Sequence, residues 1–570
     1  MRRMLLAVVL AISMAFAWPA VAASRGAAPV AAAAAPDRRV DFNGDDLDDL
    51  AFGAPGEDLG VHADAGAVNV QYGSPGGLAG SGQVLTQGTP EAGDGFGAAL
   101  AKGRFNDDDF IDLAVGAPGE DLGVHADAGA VNVQYGSPGG LAGSGQVLTQ
   151  GTPEAGDRFG AALAKGRFNA DNFIDLAVGA PGEDLGRTSA AGVVTVFYGS
   201  ASGLAGQGEL LQQSNPEVGD AFGATLDSGD FNNDGIADLA VGAPGEDVGA
   251  ARDAGAVSIF LGADGGLGGR AAVENLFQAS PEDGDRFGSA LEAASFGSDP
   301  GFDLAVGAPG ETVALAGAAG AVTVFSSDGE GLGLFGQALL QDNPETGDLF
   351  GSALASGSFR HNGHFDLAVG APGEDLGAKL DIGAVALFLD QAGGITPGSP
   401  RTVTQQEAGG AQETGDQFGS ALAAGLYNGD DFYDLAIGTP GEDVGTVADA
   451  GAVNTMHGSA GGLAGTGQVL FQGDNALGDV IEAGDRFGQS LAKGIFFNDF
   501  NGDAFDDLAV GVALEDVGDR VDAGLVNLLP GTAAGLQGVN TVLFQGADLG
   551  GGARVGGVAE AGDGLGAAVE

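Results

Sequence analysis

The chain has 570 residues, 109 of them Gly and none Cys, with 78 acidic against 21 basic side chains and a formal net charge of −57. At 44% hydrophobic it is too apolar to be disordered, and it is long enough for several domains or one large array. Its charge repels phosphate backbones and anionic lipids, so nucleic acid and membrane surfaces are poor partners and cations are natural ones. The absence of Cys excludes disulfides, thiolate zinc sites and Cys nucleophiles.

In chain order, Arg2 and Arg3 precede an apolar run from Leu5 to Trp18, followed by small residues at Ala20-Val21-Ala22 and Ala23. This is the pattern of a cleavable export signal, and the run is too short for the ~20 apolar residues that span a bilayer. Residues 1–23 are therefore expected to be a signal peptide and 24–40 an Ala-rich flexible leader. The mature protein is expected to be secreted, extracellular and monomeric, without membrane insertion.

From residue 41 to 570 the chain is one unit repeated. The segment Asp-Leu-Ala-Val-Gly-Ala-Pro-Gly-Glu-Asp, or a variant, begins at Asp49, Asp112, Asp175, Asp238, Asp303, Asp366, Asp434 and Asp507, at spacings of 63, 63, 63, 65, 63, 68 and 73. Such a period marks a propeller, solenoid or array. Within a unit, Val68, Val70 and Tyr72 alternate with Asn69 and Gln71 between bounding glycines, the pattern of a strand. Asp112-Leu-Ala-Val-Gly, Gln146-Val-Leu-Thr-Gln and Phe159-Gly-Ala-Ala-Leu-Ala supply further short strands. Four strands in about 63 residues predict a β-propeller blade. Gly53–Asp94 and Gly116–Asp157 are identical over 42 residues, a duplication that cannot by itself form a unique catalytic centre.

Each unit carries a Phe-Gly pair, an Asp/Asn-rich loop and a Gly-Ala-Pro, as in Phe222-Gly223, Asp230 to Asp238 and Gly242-Ala243-Pro244. This resembles the FG-GAP repeat of integrin α-chain β-propellers and of related secreted bacterial proteins. The resemblance implies an all-β, closed propeller, calcium in some blade loops, and a role in adhesion or protein recognition. Integrin-type propellers have seven blades, whereas the repeat count here is eight, so seven or eight four-stranded blades are expected. The first unit lacks a Phe-Gly and the chain ends with Glu560-Ala-Gly-Asp-Gly-Leu-Gly, which places Leu565 in the Phe position. Pairing those two halves as one blade closes the ring and hides both sheet edges.

The loop chemistry stands apart from the resemblance. Calcium takes six to eight oxygens, and oxygen side chains at alternate positions of a Gly-containing turn make a local cage. Asp41, Asn43, Asp45 and Asp49 occupy loop positions 1, 3, 5 and 9. Asp230, Asn232, Asp234 and Asp238 repeat the set, as do Asp499, Asn501, Asp503 and Asp507. Ca2+ is the expected cofactor. Three loops are incomplete: Arg104 precedes Asn106, Asp108 and Asp112; Arg167 precedes Asn169, Asp171 and Asp175; and Leu426 precedes Asn428, Asp430 and Asp434. In the Arg loops a guanidinium is a candidate substitute for the cation. Ser295–Asp303 and Ser358–Asp366 lack most ligands and are expected to be metal-free. The competing account of all these loops is turn formation, which Asp, Asn and Gly favour without any metal.

The recurrent Phe residues are expected between blades, and Glu57, Asp58 and their equivalents in turns or caps. No G-x-S-x-G, H-E-x-x-H or Walker motif is present, so no catalytic residue and no enzyme activity are expected. The expected partner is an extracellular or cell-surface protein or glycan. A glycan-binding propeller and, more remotely, an extracellular hydrolase with an unrecognised acidic site are the alternatives. The longer connections near Gln405–Gln412 and Asp474–Ile481 are candidates for the binding surface.

Overall fold

The structure is a computed structural model that describes residues 39–570, apart from 79–81, 143–144, 270–272, 299, 391–393, 396, 399, 465–466, 474–480, 493–497, 518–519, 538–540, 546–552, 556–559 and 570. The expected signal peptide, the leader up to Arg38 and nearly all of the Asp474–Ile481 loop lie outside the described residues.

Residues 39–570 form an eight-bladed β-propeller of four-stranded antiparallel sheets. Blade 2 shows the plan, with strands Ala99–Gly103, Asp112–Ala117, Ala130–Gln134 and Gln146–Leu148 pairing in sequence order. The second and third strands are buried at every position. Their near-continuous apolar run, in place of strict alternation, follows from having a neighbouring blade on each face. The fourth strand is shorter and more exposed. Successive first strands lie side by side. In blades 1 to 6 the second strand stops at the Ala of Gly-Ala-Pro, as at Ala117 before Pro118, and in blade 7 at Thr439 before Pro440, because Pro has no ladder donor. Among the described residues the only helix is the 3-10 turn Leu267–Gly269.

One expected strand moves. Phe159 and Gly160 lie in a turn, and the strand begins at Ala162 and runs to Gly166 as the first strand of the next blade. Gly160 has φ +95°, a left-handed conformation outside any regular strand. A Cβ there would stand 2.8 Å from the Ala130 carbonyl oxygen, so the glycine is required for close approach of the two backbones.

The recurrent Phe residues fill the seams between blades. Phe159 is fully buried and meets Phe197 edge to face at 6.1 Å, and Phe222–Phe260, Phe287–Phe325 and Phe350–Phe388 repeat the contact. A second aromatic series went unnoticed in the sequence. Position 2 of every Asp/Asn-rich loop is aromatic, from Phe42 and Phe105 to Tyr427 and Phe500, and all eight side chains are buried.

The ring closes as expected from its two halves. Blade 1 contributes Leu50–Ala54, Ala67–Gln71 and Gln83–Leu85, and the C-terminal segment supplies its innermost edge. Gly566 donates its N–H to the Gly53 carbonyl at 2.8 Å, Gly53 donates to the Ala568 carbonyl at 2.9 Å, and Phe52 bridges Val569. Leu565 is fully buried and pairs with Gly524 in the way Phe96 pairs with Gly66. Blade 8 carries a fifth strand, Ala553–Val555, parallel to Thr541–Gln545.

Candidate cation loops at one end of the ring

The Asp/Asn-rich loops lead into the second strand of each blade, from the first strand in blades 2 to 8, so in an antiparallel meander all eight gather at one end of the ring. Position 9 begins or immediately precedes the second strand, and its carboxylate is buried. The two oxygens of Asp49 accept the N–H groups of Phe42 and Gly73, both at 2.8 Å. Asp112 does the same for Phe105 and Gly136, and Asp238 for Phe231 and Gly262. Asp303, in a loop expected to be metal-free, also holds two such amides, from Phe296 and Ser327. Position 9 is therefore a clamp that ties its own loop to the start of the hairpin beyond the third strand, with or without the other oxygens.

Positions 1, 3 and 5 curl the loop. In the fourth blade Asp230 accepts the N–H groups of Asp234 and Gly235 at 3.0 and 2.9 Å, Asn232 accepts that of Asp234 at 3.0 Å, and Asp234 accepts that of Ile236 at 2.9 Å. Asp499, Asn501 and Asp503 make the matching bonds. In the first loop Asp41 and Asp45 do so, while Asn43 Oδ1 is buried without a hydrogen-bond partner. These bonds are the ones turn formation calls for, and among the described residues no group of three or more His, Asp or Glu side chains is set to hold a metal ion.

Burial raises the position-9 carboxyl in complete and incomplete loops alike, and like charges add to it. Burial pushes Asp49 up to about 8, and repulsion from Asp41 and Asp45 adds to it. Asp507 is likewise raised to about 8 by burial with Asp503 and Asp499 beside it, and Asp238 to about 7 with Asp230 and Asp234. In each complete loop the carboxylates of positions 1 and 5 act on that of position 9 through charge repulsion. In the Arg104 and Arg167 loops burial likewise raises Asp112 and Asp175 to about 7, with repulsion from Asp108 and Asp171 adding to it. Hard oxygen side chains and a surplus of negative charge are the donor chemistry calcium takes, and in the first loop the Asn43 amide oxygen is buried without a partner.

The incomplete loops find other cations. Arg104 donates from Nη2 to the Asp109 carbonyl at 3.2 Å, within its own loop. The clearest substitution falls elsewhere, in the Ser358–Asp366 loop. Arg360, at position 3, donates from Nη2 at 2.6 Å and from Nε at 3.1 Å to Asp366 Oδ1, and also reaches the Asp390 carbonyl at 2.6 Å. In blade 7, His457 Nδ1 lies 3.4 Å from Asp434 Oδ1, and Asn428 Nδ2 lies 3.2 Å from the same oxygen. Its hydrogen bond to Asp434 raises the His457 pKa, against burial, which lowers it.

A closed ring of eight such blades, seven with a Phe-Gly seam and six with a Gly-Ala-Pro strand end, is an integrin-like FG-GAP propeller. The FG-GAP repeat family model matches residues 222–260, which include the complete loop of blade 4. Human phosphatidylinositol-glycan-specific phospholipase D is 34% identical over 155 residues, 26% of this chain and 18% of the phospholipase. Integrin alpha-PS5 of Drosophila melanogaster is 35% identical over 162 residues, 27% of this chain and 15% of the integrin, and mouse integrin alpha-3 is 36% identical over 160 residues, 28% and 14%. The matched stretches thus span less than a fifth of these relatives. Among solved structures, a Bacillus licheniformis rhamnogalacturonan lyase aligns over 74% of this chain and 71% of its own, with TM-score 0.37 and 10% identity. Among the described residues no helix is long and apolar enough to cross a membrane.

Proposed function

We propose that this chain is a secreted, calcium-binding, non-catalytic scaffold for adhesion or protein recognition. The observation that carries calcium is the run of side-chain oxygens at alternate positions of three loops, Asp41–Asp49, Asp230–Asp238 and Asp499–Asp507, in each of which the carboxylates of positions 1 and 5 repel that of position 9. Asp41, Asn43, Asp45 and Asp49 and their counterparts would hold the ion, which would supply positive charge beside the buried position-9 carboxylate. The incomplete loops, with Asn106 and Asp108, Asn169 and Asp171, or Asn428 and Asp430, are weaker candidates. A recognition role is supported by the similarity to integrin α chains and by repetition of the acidic sites around the ring. Residues that recur in blade after blade do not make a unique reaction centre.

Calorimetry with calcium on chelator-treated mature protein tests the cation: binding at about three sites is expected, with a rise in melting temperature. No heat and no thermal gain would refute it. Pull-downs on cell-surface and cell-envelope proteins beside a glycan array test the partner. Glycan binding without protein capture would favour the lectin alternative.

A further inference from the structure

The opposite end of the ring gathers the second-to-third-strand turns and the connections between blades, and here carboxyl groups meet each other. Between blades 2 and 3, Asp157 lies in the segment leading to the first strand of blade 3, and Glu183 in that blade's turn after Gly-Ala-Pro. Their side chains are within hydrogen-bonding reach of one another. Gln150, just beyond the last strand of blade 2, donates to both from one amide nitrogen, at 2.9 Å to Glu183. Asp157 also accepts the Glu154 N–H at 2.5 Å through Oδ2. Its other oxygen, Oδ1, is buried with no donor.

The arrangement recurs. Asp220 meets Glu246 beside Gln213, and Asp285 meets Glu311 beside Gln278. Asp94 meets Glu120 beside Gln87. At the closure of the ring, Glu57 of blade 1 meets Asp563 of the C-terminal segment. In each of these the Asp is fully buried and its Oδ1 lacks a donor. Two carboxylates have no hydrogen to offer one another. A contact between them, taken out of water, needs a proton.

We propose that these seams are each locked by one proton shared between the Glu and Asp carboxyl groups, so that the ring is tightest in acid and loosens as the protons leave. When a proton goes to solvent base, the pair becomes two facing carboxylates, and no covalent bond changes. The other titratable groups facing the Asp157–Glu183 pair are Glu154 and Asp184, both acidic. Those facing Asp220–Glu246 are Glu217 and Asp247, and Glu91 and Asp121 face Asp94–Glu120. Around Asp285–Glu311 they are Glu282 and Asp283, and around Glu57–Asp563 they are Glu560 and Asp58. No basic group is among these neighbours to take the place of a lost proton. Burial first, and then the facing Asp, push Glu183 up to about 8 and Glu120, Glu246 and Glu311 to about 7. An ordinary Glu titrates near ~4.3. The native state then holds extra protons from about pH 4 to about pH 8, and stability falls as pH rises through that window.

The position-9 carboxylates of the cation loops rise in the same direction, so the test is made at the seams. Glu183→Gln, Glu246→Gln and Glu311→Gln, combined in the full chain, replace each protonated Glu with a permanent donor. Without calcium, the wild-type melting temperature is expected to fall between pH 5 and pH 8.5. The triple variant should lose a share of that fall and release about three fewer protons on titration across the same range. Should the triple variant fail to fold, Glu183→Gln alone is expected to release about one proton fewer. An unchanged proton count in the variant would overturn the proposal. So would loss of calcium-binding stoichiometry in the variant, which would assign the pairs to a metal.

Discussion

Arg360 Nη2 grips Asp366 Oδ1 at 2.6 Å, inside a loop whose counterparts in blades 1, 4 and 8 carry Asp at positions 1, 5 and 9 and no basic residue. One blade thus carries its own positive charge at the place where others are expected to recruit an ion. Asp366 is fully buried, and Arg360 is 17% exposed. Arg360→Met would leave the carboxylate uncompensated and is expected to cost about 3 kcal/mol, the lower end for a broken buried pair because the guanidinium is partly solvated. Adding Asp366→Asn should recover much of that loss. Chemical denaturation of the single and double variants measures it, and additive losses would contradict the pairing.

The clamp at position 9 predicts a cost that is independent of metal. Asp303 accepts the N–H groups of Phe296 and Ser327, each at 2.8 Å, in a loop that lacks the other ligands. Asp303→Asn retains one acceptor and turns an amide NH2 toward the second N–H, so a loss of about 1–3 kcal/mol is expected. Calcium should not change it. A denaturant midpoint that shifts equally with and without chelator is the expected result; a loss confined to calcium-containing buffer would make Asp303 a ligand instead.

The seam aromatics give the largest expected losses. Phe222 is fully buried and meets Phe260 at 6.1 Å, so Phe222→Ala should cost about 3–5 kcal/mol. Phe335 is 94% exposed, and Phe335→Ser should leave the thermal midpoint nearly unchanged. Comparable losses at the two positions would contradict the seam packing.

The blades were legible because eight copies of one strand pattern reinforce each other, and the closure was legible because Leu565 stands where the other units have Phe. The start of the first strand was missed because Phe159 and Gly160 look strand-like by composition, while the +95° φ of Gly160 belongs to the fold. Arg360 escaped notice for a different reason. The guanidinium was sought at position 1, in Arg104 and Arg167, but position 3 aims a long side chain at the buried position-9 carboxylate. Glu57 and Asp58, grouped together in the sequence as turn residues, separate in space: Asp58 caps its turn by accepting the Asp64 N–H at 2.9 Å, whereas Glu57 meets Asp563 across the closure. No spacing rule reports that second contact, because its partner lies at the far end of the chain.

The closure itself is the last test. The complete loops of blades 8 and 1 are neighbours across it, and Asp48 joins them by accepting the Val40 N–H at 2.8 Å and the Asp499 N–H at 3.0 Å. Deleting residues 561–570 removes the strand edge at Gly53, empties the seam filled by Leu565 and takes away Asp563. The truncated chain would present an unpaired edge on blade 1, and such edges recruit other strands. A lower thermal midpoint and association into dimers or larger species are expected, read by calorimetry and by light scattering after size-exclusion chromatography. Calcium is expected to offset part of the thermal loss, because the ions would still hold the loops on both sides of the joint. A truncated chain that stays monomeric with an unchanged midpoint would show that the C-terminal segment is not what closes the ring.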